Sequence, residues 1–592
     1  MGFEYIHPFA FLYWAGTLQP AFTAFLKRWL THAVCNLVLY SGGVCPSDGL
    51  RFDQGREYMA VLWTFAELPA WFQARGAISW FTFAYIPLKI LEDGFSNVSR
   101  LSRLILRTFF NPHDFNFEMG VQLQGDVEIR ATFGCFVQDE KELKATNFIT
   151  GASGTKPCCC CMNCMGRCER DDICVPGVAH VSSSDFEEFV PHTCESWQEM
   201  CDKLATVAAD GGVGELKHLQ QVYGLKYDKE SLHFDPFLVR ILKMPLCIFY
   251  DWMHCLVASG GTFQYAVNSI ILDIKDAGVS LAILGLWFSL VKGPKAGFTK
   301  LRQHFLRDRV VEKVGYNSHI RAYASEMLSV VACLAWFCSL VLIPAGKLLE
   351  QSYLAIDMQH CLEILLANRW DLTDRLQAVM HKIHVRLSNL YPNNIKQKMH
   401  YSRHLPGMIR RFKRVFSCFP RERMHKQSKK IAQFCFNKCT STMLAYEIHR
   451  VSEGIKCESS YEPILLPHAV TSSRELVATL SPLVGVRGLQ EVQHSYEATT
   501  PLGTFSKGDV VAWRDPLGQI RVGKANLFVK FTSVLVTRFV GHITEYHGRA
   551  DGLWSTTNST ERWVIVDTLL GSMMWAEYQG SVRVMLPAIL DL

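Results

Sequence analysis

The densest group of potential metal ligands is a cysteine-rich stretch, GASGTKPCCCCMNCMGRC, at residues 151–168. Cys158 and Cys161 have the C-x2-C spacing that lets two thiolates reach one tetrahedral Zn2+ ion. Two further ligands must come from elsewhere in the chain, and the best placed candidate is the segment YDWMH, whose His254 could supply an imidazole, with Cys255 adjacent. The alternative is that several of these thiols are small buried hydrophobic side chains.

A strongly basic segment, KQKMHYSRHLPGMIRRFKRVFSCFPRERMHKQSKK, covers residues 396–430. It holds twelve Lys and Arg residues against one acid, so its net charge is +11 and the rest of the chain carries −5. Interleaved aromatic residues favour binding to a nucleic-acid backbone over the alternative, a solvated helix face. The candidate DNA-contacting residues are Lys396, Lys398, Arg403, Arg410, Arg411, Lys413, Arg414, Arg421, Arg423, Lys426, Lys429 and Lys430.

The single acid in this basic segment is Glu422, which lies between Arg421 and Arg423. One interpretation is a neutralising ion pair of little energetic value. The other is a carboxylate that holds a divalent cation beside a phosphate, because Mg2+ takes oxygen ligands. Sequence spacing does not choose between them.

Length and composition limit the class of protein. A chain of 592 residues, 49% apolar and 20% charged, can bury several cores, so it is not a disordered protein and three or four structural units are expected. Its first residues, MGFEYIHP, do not have the pattern of a secretory signal. The 21 cysteines are therefore expected to be reduced thiols, some of them metal ligands.

Hydrophobic periodicity predicts the elements that must position these residues. Residues 1–30 are expected to be helical. Three strands, a helix and further strands should follow, at 37–40, 58–65, 77–85, 98–110 and 120–136. Residues 185–390 should be mostly helical, and short β-branched runs from about 503 predict a small β-barrel-like domain, with strands at 510–513, 519–522, 527–531, 534–539, 563–566 and 581–584.

One segment, MLSVVACLAWFCSLVLIPAG at residues 327–346, has the length and apolarity of a membrane span. Polar stretches lie on both sides of it, and a large domain also needs helices that are apolar all round. We therefore expect a buried helix and keep a membrane anchor as the alternative.

Three motifs occur in a defined order: an acidic strand end before the cysteines (FVQDEKELKATNFITGASGTKPCCCC), a D-x2-H motif (YDWMH) and a late KMHYSRHLP…ERMHKQSKK block. In this order and spacing, residues 35–435 resemble DDE transposases of the CACTA type and their relatives. The resemblance implies an RNase H-like core interrupted by a large all-helical insertion, zinc, DNA as the partner, and a nuclear location.

In that family, three carboxylates bind two Mg2+ or Mn2+ ions that drive DNA strand cleavage and joining. The resemblance makes Asp139 the second carboxylate and Glu422 the third. It associates Cys158, Cys161, Asp251 and His254 with zinc, with Asp251 either a ligand or a residue that positions a helix. The first carboxylate should end the first strand, but Gly42 stands at the expected position. Asp48 would need a bent loop to replace it. Cleavage activity is therefore in question, because the members of such a set act as a unit.

The C-terminal run FSKGDVVAW at residues 505–513 resembles the opening of SH3-like or bromo-adjacent-homology barrels. This second resemblance implies a module that binds a chromatin protein. The alternative is a domain that serves only in packing.

The expected organisation is α/β plus α, with an SH3-like barrel at the C-terminus. Its segments are 1–34, N-terminal helical; 35–150, first part of the RNase H-like core; 151–180, zinc knuckle; 181–395, helical insertion; 396–452, last part of the core with the basic segment; 453–502, linker; and 503–592, barrel.

Three functions are weighed. The first is a transposase-like DNA-binding protein, capable of two-metal phosphoryl transfer if active, with a homo-oligomer as one partner state. The second is a domesticated or decayed DNA- or chromatin-binding protein without catalysis. The third is a membrane protein anchored by residues 327–346.

Overall fold

The structure, a computed structural model, divides into two units. Unit 1 comprises Met1–Leu256, Trp370–Gln377 and Ile395–Tyr461, and unit 2 comprises Val257–Arg369, Ala378–Asn394 and Glu462–Leu592. The described residues are 2–46, 57–75, 78–111, 113, 115–150, 154–166, 177–312, 318–435, 438–473, 475–479, 491–532, 537–548, 553–578 and 581–587. Both units are therefore assembled from segments that are far apart in the sequence.

Short strands and helices alternate in the first part of the chain. Their bounds are α1 Pro8–Leu18, α2 Pro20–Leu30, β1 Cys35–Val44, β2 Tyr58–Phe65, α3 Ala70–Arg75, β3 Phe81–Pro87, α4 Leu88–Phe95, α5 Val98–Phe110, β4 Val121–Leu123, β5 Val127–Ile129, β6 Ala131–Gln138, α6 Glu140–Thr146, β7 Cys164–Met165, β8 Ala179–His180, α7 Cys194–Ala209, α8 Val213–Tyr223, α9 Leu238–Ile241, β9 Ile248–Tyr250 and α10 Trp252–Leu256.

Helices dominate the middle of the chain and strands dominate its end. The helices are α11 Thr262–Asp276, α12 Leu281–Leu290, α13 Phe305–Arg309, α14 Ala324–Phe337, α15 Leu349–Leu366, α16 Thr373–Leu390, α17 Gln397–Ser402, α18 Leu405–Phe412, α19 Phe419–Phe434 and α20 Cys439–Lys456. The strands are β10 Val470–Thr471, β11 Glu491–Ser495, β12 Glu497–Thr500, β13 Gly503–Ser506, β14 Val510–Arg514, β15 Ile520–Thr532, β16 Thr537–Gly548, β17 Leu553–Ile565, β18 Leu569–Tyr578 and β19 Ser581–Met585.

The sheet of unit 1 has the strand order β3-β2-β1-β6-β9. β1, β2 and β3 form an antiparallel meander, whereas β6 runs parallel to β1 and β9 runs parallel to β6. Every residue of β2 is buried, as expected for a strand that is covered on both faces. The carboxyl ends of β1, β6 and β9 therefore lie along the same edge of the sheet.

A buried polar network holds helix α19 against this sheet. The Tyr85 hydroxyl on β3 is 2.8 Å from the Ser428 hydroxyl on α19, and it donates to Glu447 Oε1 on α20 at 3.4 Å. Arg450 forms an ion pair with the same Glu447 carboxylate, whose side chain is 2% exposed. A buried carboxylate needs such partners, so the network fixes where α19 lies on the sheet.

Unit 2 combines a helical part with an eight-stranded antiparallel sheet. Six of the strands, β15, β14, β18, β19, β17 and β16, pair in that order, and β16 pairs again with β15, so the hydrogen bonding closes into a ring. Apolar side chains such as Val511, Trp513, Phe528 and Ile543 pack into one buried cluster on these strands. Closure leaves these six strands without a free edge along their paired residues.

The apolar segment at residues 327–346 forms α14 and a following π-helical turn in unit 2. Ala324–Leu342 is long and apolar enough to cross a membrane by length and composition, with a mean hydropathy of 1.9 over its window. Of that window, 67% is buried, as expected of a core helix. One such helix is weak evidence for a membrane span.

The chain is mixed α/β with many helices and a large C-terminal antiparallel sheet, which agrees with the expected class at that level. The predicted strand at 58–65 and helix at 98–110 coincide with β2 and α5. β3 begins at Phe81, because residues 78–80 form a turn, whereas the prediction began this strand at residue 77, which lies outside the described residues.

The segment 453–502 differs from the expected linker. β11 lies within it and pairs with β15 of the closed sheet. Its buried residue Val492 packs with Val529 and Phe531, and this packing stabilises the strand. The linker prediction missed it because only one residue of β11 is apolar.

Candidate functional site

Two thiols and two imidazoles converge in unit 1. Ligand atoms of Cys158, Cys161, His400 and His404 all lie within 4.8 Å of one another. The two histidine Nε2 atoms are 3.3 Å apart, and the distances from thiol sulfur to Nε2 are 3.4 and 3.5 Å. Bonds of about 2.3 Å to sulfur and about 2.0 Å to nitrogen put neighbouring donors of a tetrahedral ion roughly 3.3 to 3.8 Å apart. The four side chains therefore fit one tetrahedral metal ion.

The elements that carry these ligands explain their convergence. His400 lies on α17 and His404 follows four residues later, so both imidazoles lie on one side of a helical turn. The cysteine loop is held by a backbone hydrogen bond in which His192 N donates to Cys160 O at 2.9 Å. A rigid loop thus meets a helical turn from a distant part of the chain.

Two of the four side chains, His400 and Cys158, favour the protonation state that metal binding requires. Burial lowers the pKa of His400 to about 4, which keeps its imidazole neutral. Burial alone would raise the pKa of the Cys158 thiol, but hydrogen bonds from Cys160 and Cys161 bring it well below its usual value. The hydrogen bond to Cys158, together with burial, raises the pKa of Cys161. Neutral imidazole and thiolate are the forms that bind metal ions.

Asp251 and His254 do not join this Cys2His2 cluster, which is a correction to the expected ligand set. They lie in a second cluster with Cys418, again with ligand atoms within 4.8 Å of one another. The physical reason is that the His254 ring is engaged elsewhere: its Nδ1 is 2.5 Å from Asp251 Oδ2, and its Nε2 is 3.3 Å from Glu422 Oε1. The ring therefore faces α19 and not the cysteine loop.

This second cluster is held by Asp251, whose side chain is fully buried. Burial would lower the pKa of His254, but its hydrogen bonds to Asp251, Cys418 and Glu422 raise the pKa well above the usual value. These contacts place the His254 ring between two carboxylates. Glu422, expected to be a catalytic carboxylate, contacts this histidine and has a side chain that is 47% exposed.

Asp139 directly follows β6 and caps α6, where its Oδ1 accepts a hydrogen bond from Glu142 N at 2.8 Å. In the parallel ladder, Gln138 is opposite Tyr250, so Asp139 and Asp251 follow the ends of neighbouring strands. Within the described residues, Asp139 belongs to neither metal-ligand cluster. The structure thus places Asp139 and Glu422 in the same unit without joining them in one ligand set.

Gly42, the expected position of the first carboxylate, lies within β1. A Cβ atom added at Gly42 would overlap the Tyr40 hydroxyl, which fills the space on that face of the strand. The neighbouring Ser41 hydroxyl accepts a hydrogen bond from Gln138 Nε2 at 2.5 Å. Asp48, the possible substitute, lies outside the described residues.

Tyr401 connects the Cys2His2 cluster to the helix that Asp139 caps. Its hydroxyl donates to Pro157 O at 3.0 Å, just before the cysteine loop, and lies 3.2 Å from Glu140 Oε1. Lys144 Nζ donates to the same hydroxyl at 3.0 Å. The turn that carries both histidines therefore also positions α6.

The basic segment divides by exposure. The exposed cations are Arg410, Arg411, Lys413, Lys426 and Lys430, and those partly buried are Lys396, Lys398, Arg403, Arg414 and Lys429. The side chains of Arg421 and Arg423 lie outside the described set.

Arg403 and Arg414 differ from the expected free cations. The Arg403 guanidinium packs 3.9 Å from the ring centroids of both Phe186 and Phe189. Arg414 donates to the backbone oxygen of Ala66 at 2.8 Å. Both side chains thus serve local packing, since planar guanidinium groups stack well on aromatic rings and bond well to carbonyl oxygens.

Sequence reasoning missed His400, His404 and Cys418. The available signal was the H-x3-H spacing in KMHYSRHLP, which puts two imidazoles on one helical face. The two histidines lie within the basic segment, which was interpreted from its lysines and arginines. Cys418 carries no signal of its own because it is an isolated cysteine in the sequence.

No family model matches the chain, and no curated protein matches it.

We predict that the Cys2His2 cluster binds a metal ion and stabilises unit 1. Cys161→Ser and His404→Ala should each lose this metal and lower the stability of unit 1 by several kcal/mol, because the ion joins two distant segments. Metal content and thermal unfolding with and without chelator provide the measurements. The control is Cys164→Ala, which removes a buried thiol outside the cluster and should retain the metal. Full metal content in Cys161→Ser would contradict the prediction.

A second prediction concerns Glu142 and pH. Burial, followed by the charge of Asp139, raises the pKa of Glu142 from 4.5 to about 7. Its protonated form favours the folded state, so this contribution is full below pH 4.5 and is lost as the pH rises through 7. Glu142→Gln should therefore raise the free energy of unfolding relative to wild type above pH 7, by up to about 3 kcal/mol.

Urea unfolding at pH 4 and pH 8 would measure this difference. The matched control is Glu215→Gln on an exposed helix surface, which should change stability equally at both pH values. An effect of Glu142→Gln that does not grow with pH would show that Glu142 titrates normally.

Proposed function

We propose that this chain is a transposase-derived DNA-binding protein whose RNase H-like unit no longer cleaves DNA. The observation that carries the proposal is the sheet of unit 1. Counted along the chain, its strands have the order 3-2-1-4-5, with the second strand antiparallel to the first and the last two parallel to it. This order and these directions are typical of RNase H-like folds.

The positions of two carboxylates support the same ancestry. Asp139 follows the fourth strand of this sheet, and Glu422 lies on α19, which returns to the sheet after the inserted residues. In the proposed fold these are the places of the second and third acids of a DDE set. The Cys2His2 cluster is proposed to hold a structural Zn2+ ion, which tetrahedral sulfur and nitrogen ligands favour.

The loss of cleavage is proposed from Gly42 and Tyr40. Two-metal phosphoryl transfer needs a carboxylate shared by both ions. Gly42 offers none, and the Tyr40 hydroxyl fills the adjacent space. Glu422 contacts His254, which draws its carboxylate into an ion pair. A site with one carboxylate absent and another paired is poorly suited to bind two Mg2+ ions.

DNA binding is proposed for the exposed face of α19. Lys426 and Lys430 follow Glu422 at intervals of four residues, so all three project from one face of the helix, and all three are exposed. Arg410 and Arg411 add exposed cations on α18, where Arg410 also pairs with the exposed Asp374. Such a surface suits a phosphate backbone and does not require sequence-specific contacts. A DNA partner implies a nuclear location in a eukaryotic cell.

We predict that reversing two charges on α19 weakens DNA binding. Lys426→Glu/Lys430→Glu should bind duplex DNA at least about tenfold more weakly near 0.1 M salt, and the slope of log K against log salt should fall by about 2. Fluorescence anisotropy of a labelled duplex over a salt series would measure both quantities.

The matched control is Lys203→Glu/Lys217→Glu, which makes the same charge change at exposed positions on α7 and α8. It should bind almost as wild type. Equal losses of DNA affinity in both double variants would show that net charge, and not the exposed face of α19, determines binding.

A fourth prediction concerns catalysis. The wild-type chain should not nick DNA in Mg2+ or Mn2+, and Glu422→Gln should therefore leave the background unchanged. Gly42→Asp combined with Tyr40→Ala restores both a carboxylate and the space for it, and it should increase nicking if the remaining acids are in place. Wild-type nicking that Glu422→Gln reduces roughly 10³-fold or more would overturn the proposal of lost cleavage.

A further inference from the structure

We infer that His254, Cys418 and Glu422 form a second metal site, separate from the Cys2His2 cluster, that takes a transition-metal ion of the zinc class. The ligand atoms of Asp251, His254 and Cys418 lie within 4.8 Å of one another. Glu422 is outside that group and is connected to it through His254, whose Nε2 is 3.3 Å from Glu422 Oε1. The site shares no residue with the first cluster and lies where α10 meets the start of α19. The inference goes beyond the proposed function and does not depend on DNA binding.

Asp251 is assigned as the residue that orients the site. Its Oδ2 accepts hydrogen bonds from His254 N at 3.1 Å and from His254 Nδ1 at 2.5 Å. Its Oδ1 accepts from Cys418 N at 3.0 Å. A fully buried carboxylate with both oxygens engaged in this way fixes the tautomer of the imidazole and leaves Nε2 to bind a metal. The same carboxylate also fixes the backbone of Cys418.

The three remaining donors define the class of metal. A thiolate, an imidazole and one carboxylate are typical ligands of Zn2+, Co2+ and related ions, whereas Mg2+ prefers oxygen ligands and water. Three protein ligands leave a fourth tetrahedral position for water or another small ligand. Cys418 is 1% exposed, whereas the Glu422 side chain is 47% exposed, so the open position lies on the side of Glu422.

This assignment gives Glu422 a different partner from the one the DDE resemblance implies. A zinc-class ion bound to Glu422 and Cys418 would occupy the carboxylate that two-metal chemistry requires. The metal would also join α10 to the first turn of α19, next to the exposed cations Lys426 and Lys430. A structural or ligand-binding role is thus separable from strand cleavage.

Metal stoichiometry of the full-length chain tests the inference. After exhaustive dialysis against trace Zn2+, the wild type should hold one more equivalent than Cys418→Ser, and Cys161→Ser should lose a different equivalent, so that the double variant loses both. The matched control is Cys435→Ser at the opposite end of α19, which should retain the wild-type content. Equal metal content in wild type and Cys418→Ser would overturn the inference.

A second variant, Glu422→Gln, tests the site without replacing a buried side chain. Glu422→Gln changes only an exposed side chain, so the fold should be retained, as circular dichroism would show. Competition with a chelating dye should show weaker binding of the second equivalent alone, by at least the roughly 10- to 100-fold that changes around metal ligands cost. In Co2+-substituted Cys161→Ser protein, the remaining thiolate-to-cobalt absorption should disappear on adding Cys418→Ser. Its persistence, or unchanged affinity in Glu422→Gln, would count against the site.

These measurements contain no DNA, so their failure is distinguishable from that of the proposed function. A chain that binds DNA through α19 but holds a single metal equivalent would contradict the second site and leave the DNA proposal intact. A chain that holds both equivalents but fails to bind DNA would support the second site and contradict the DNA proposal.

Discussion

The structure of unit 1 depends on the meeting of a cysteine loop with a helical turn that follows 239 residues later, measured from Cys161 to His400. Closing so long a loop costs entropy, but each doubling of loop length adds only about 0.6 kcal/mol. A metal ion that binds both ends would offset much of that cost. The long stretch of chain between the two segments is therefore compatible with a single folded unit, provided that its ends return to the same place.

The contact between the cysteine loop and the histidine-bearing turn also supports the edge of the sheet. Tyr401, between the two histidines, contacts Glu140 at the start of α6, and its ring stacks on Tyr250 with centroids 4.8 Å apart. Tyr250 ends β9, and Asp251 follows it. The ends of β6 and β9 are thus supported by the turn that carries the histidines. Disruption of the Cys2His2 cluster should therefore change the positions of Asp139 and Asp251, although neither is one of its ligands.

The sequence predicted features that depend on neighbouring residues, but it did not predict which distant segments of the chain contact each other. The apolar run of β2, the periodicity of α5 and the C-x2-C pair are local patterns. Spacing could not tell whether YDWMH or KMHYSRHLP returns to the cysteines, since this depends on the course of the whole insertion. Likewise, Arg403 looks like any other cation until Phe186 and Phe189 pack against it. The three-residue strand β9 is too short for periodicity to detect.

The proposed loss of cleavage is physically compatible with retention of the fold. The sheet is stabilised by buried apolar strands, and α19 is held by Tyr85, Ser428 and Glu447. Neither contribution involves a carboxylate at position 42. Glycine at position 42, within β1, leaves space that the Tyr40 hydroxyl occupies. A transposase-like unit could thus lose its shared metal ligand and keep its shape, its thiol and imidazole cluster, and its cationic helix.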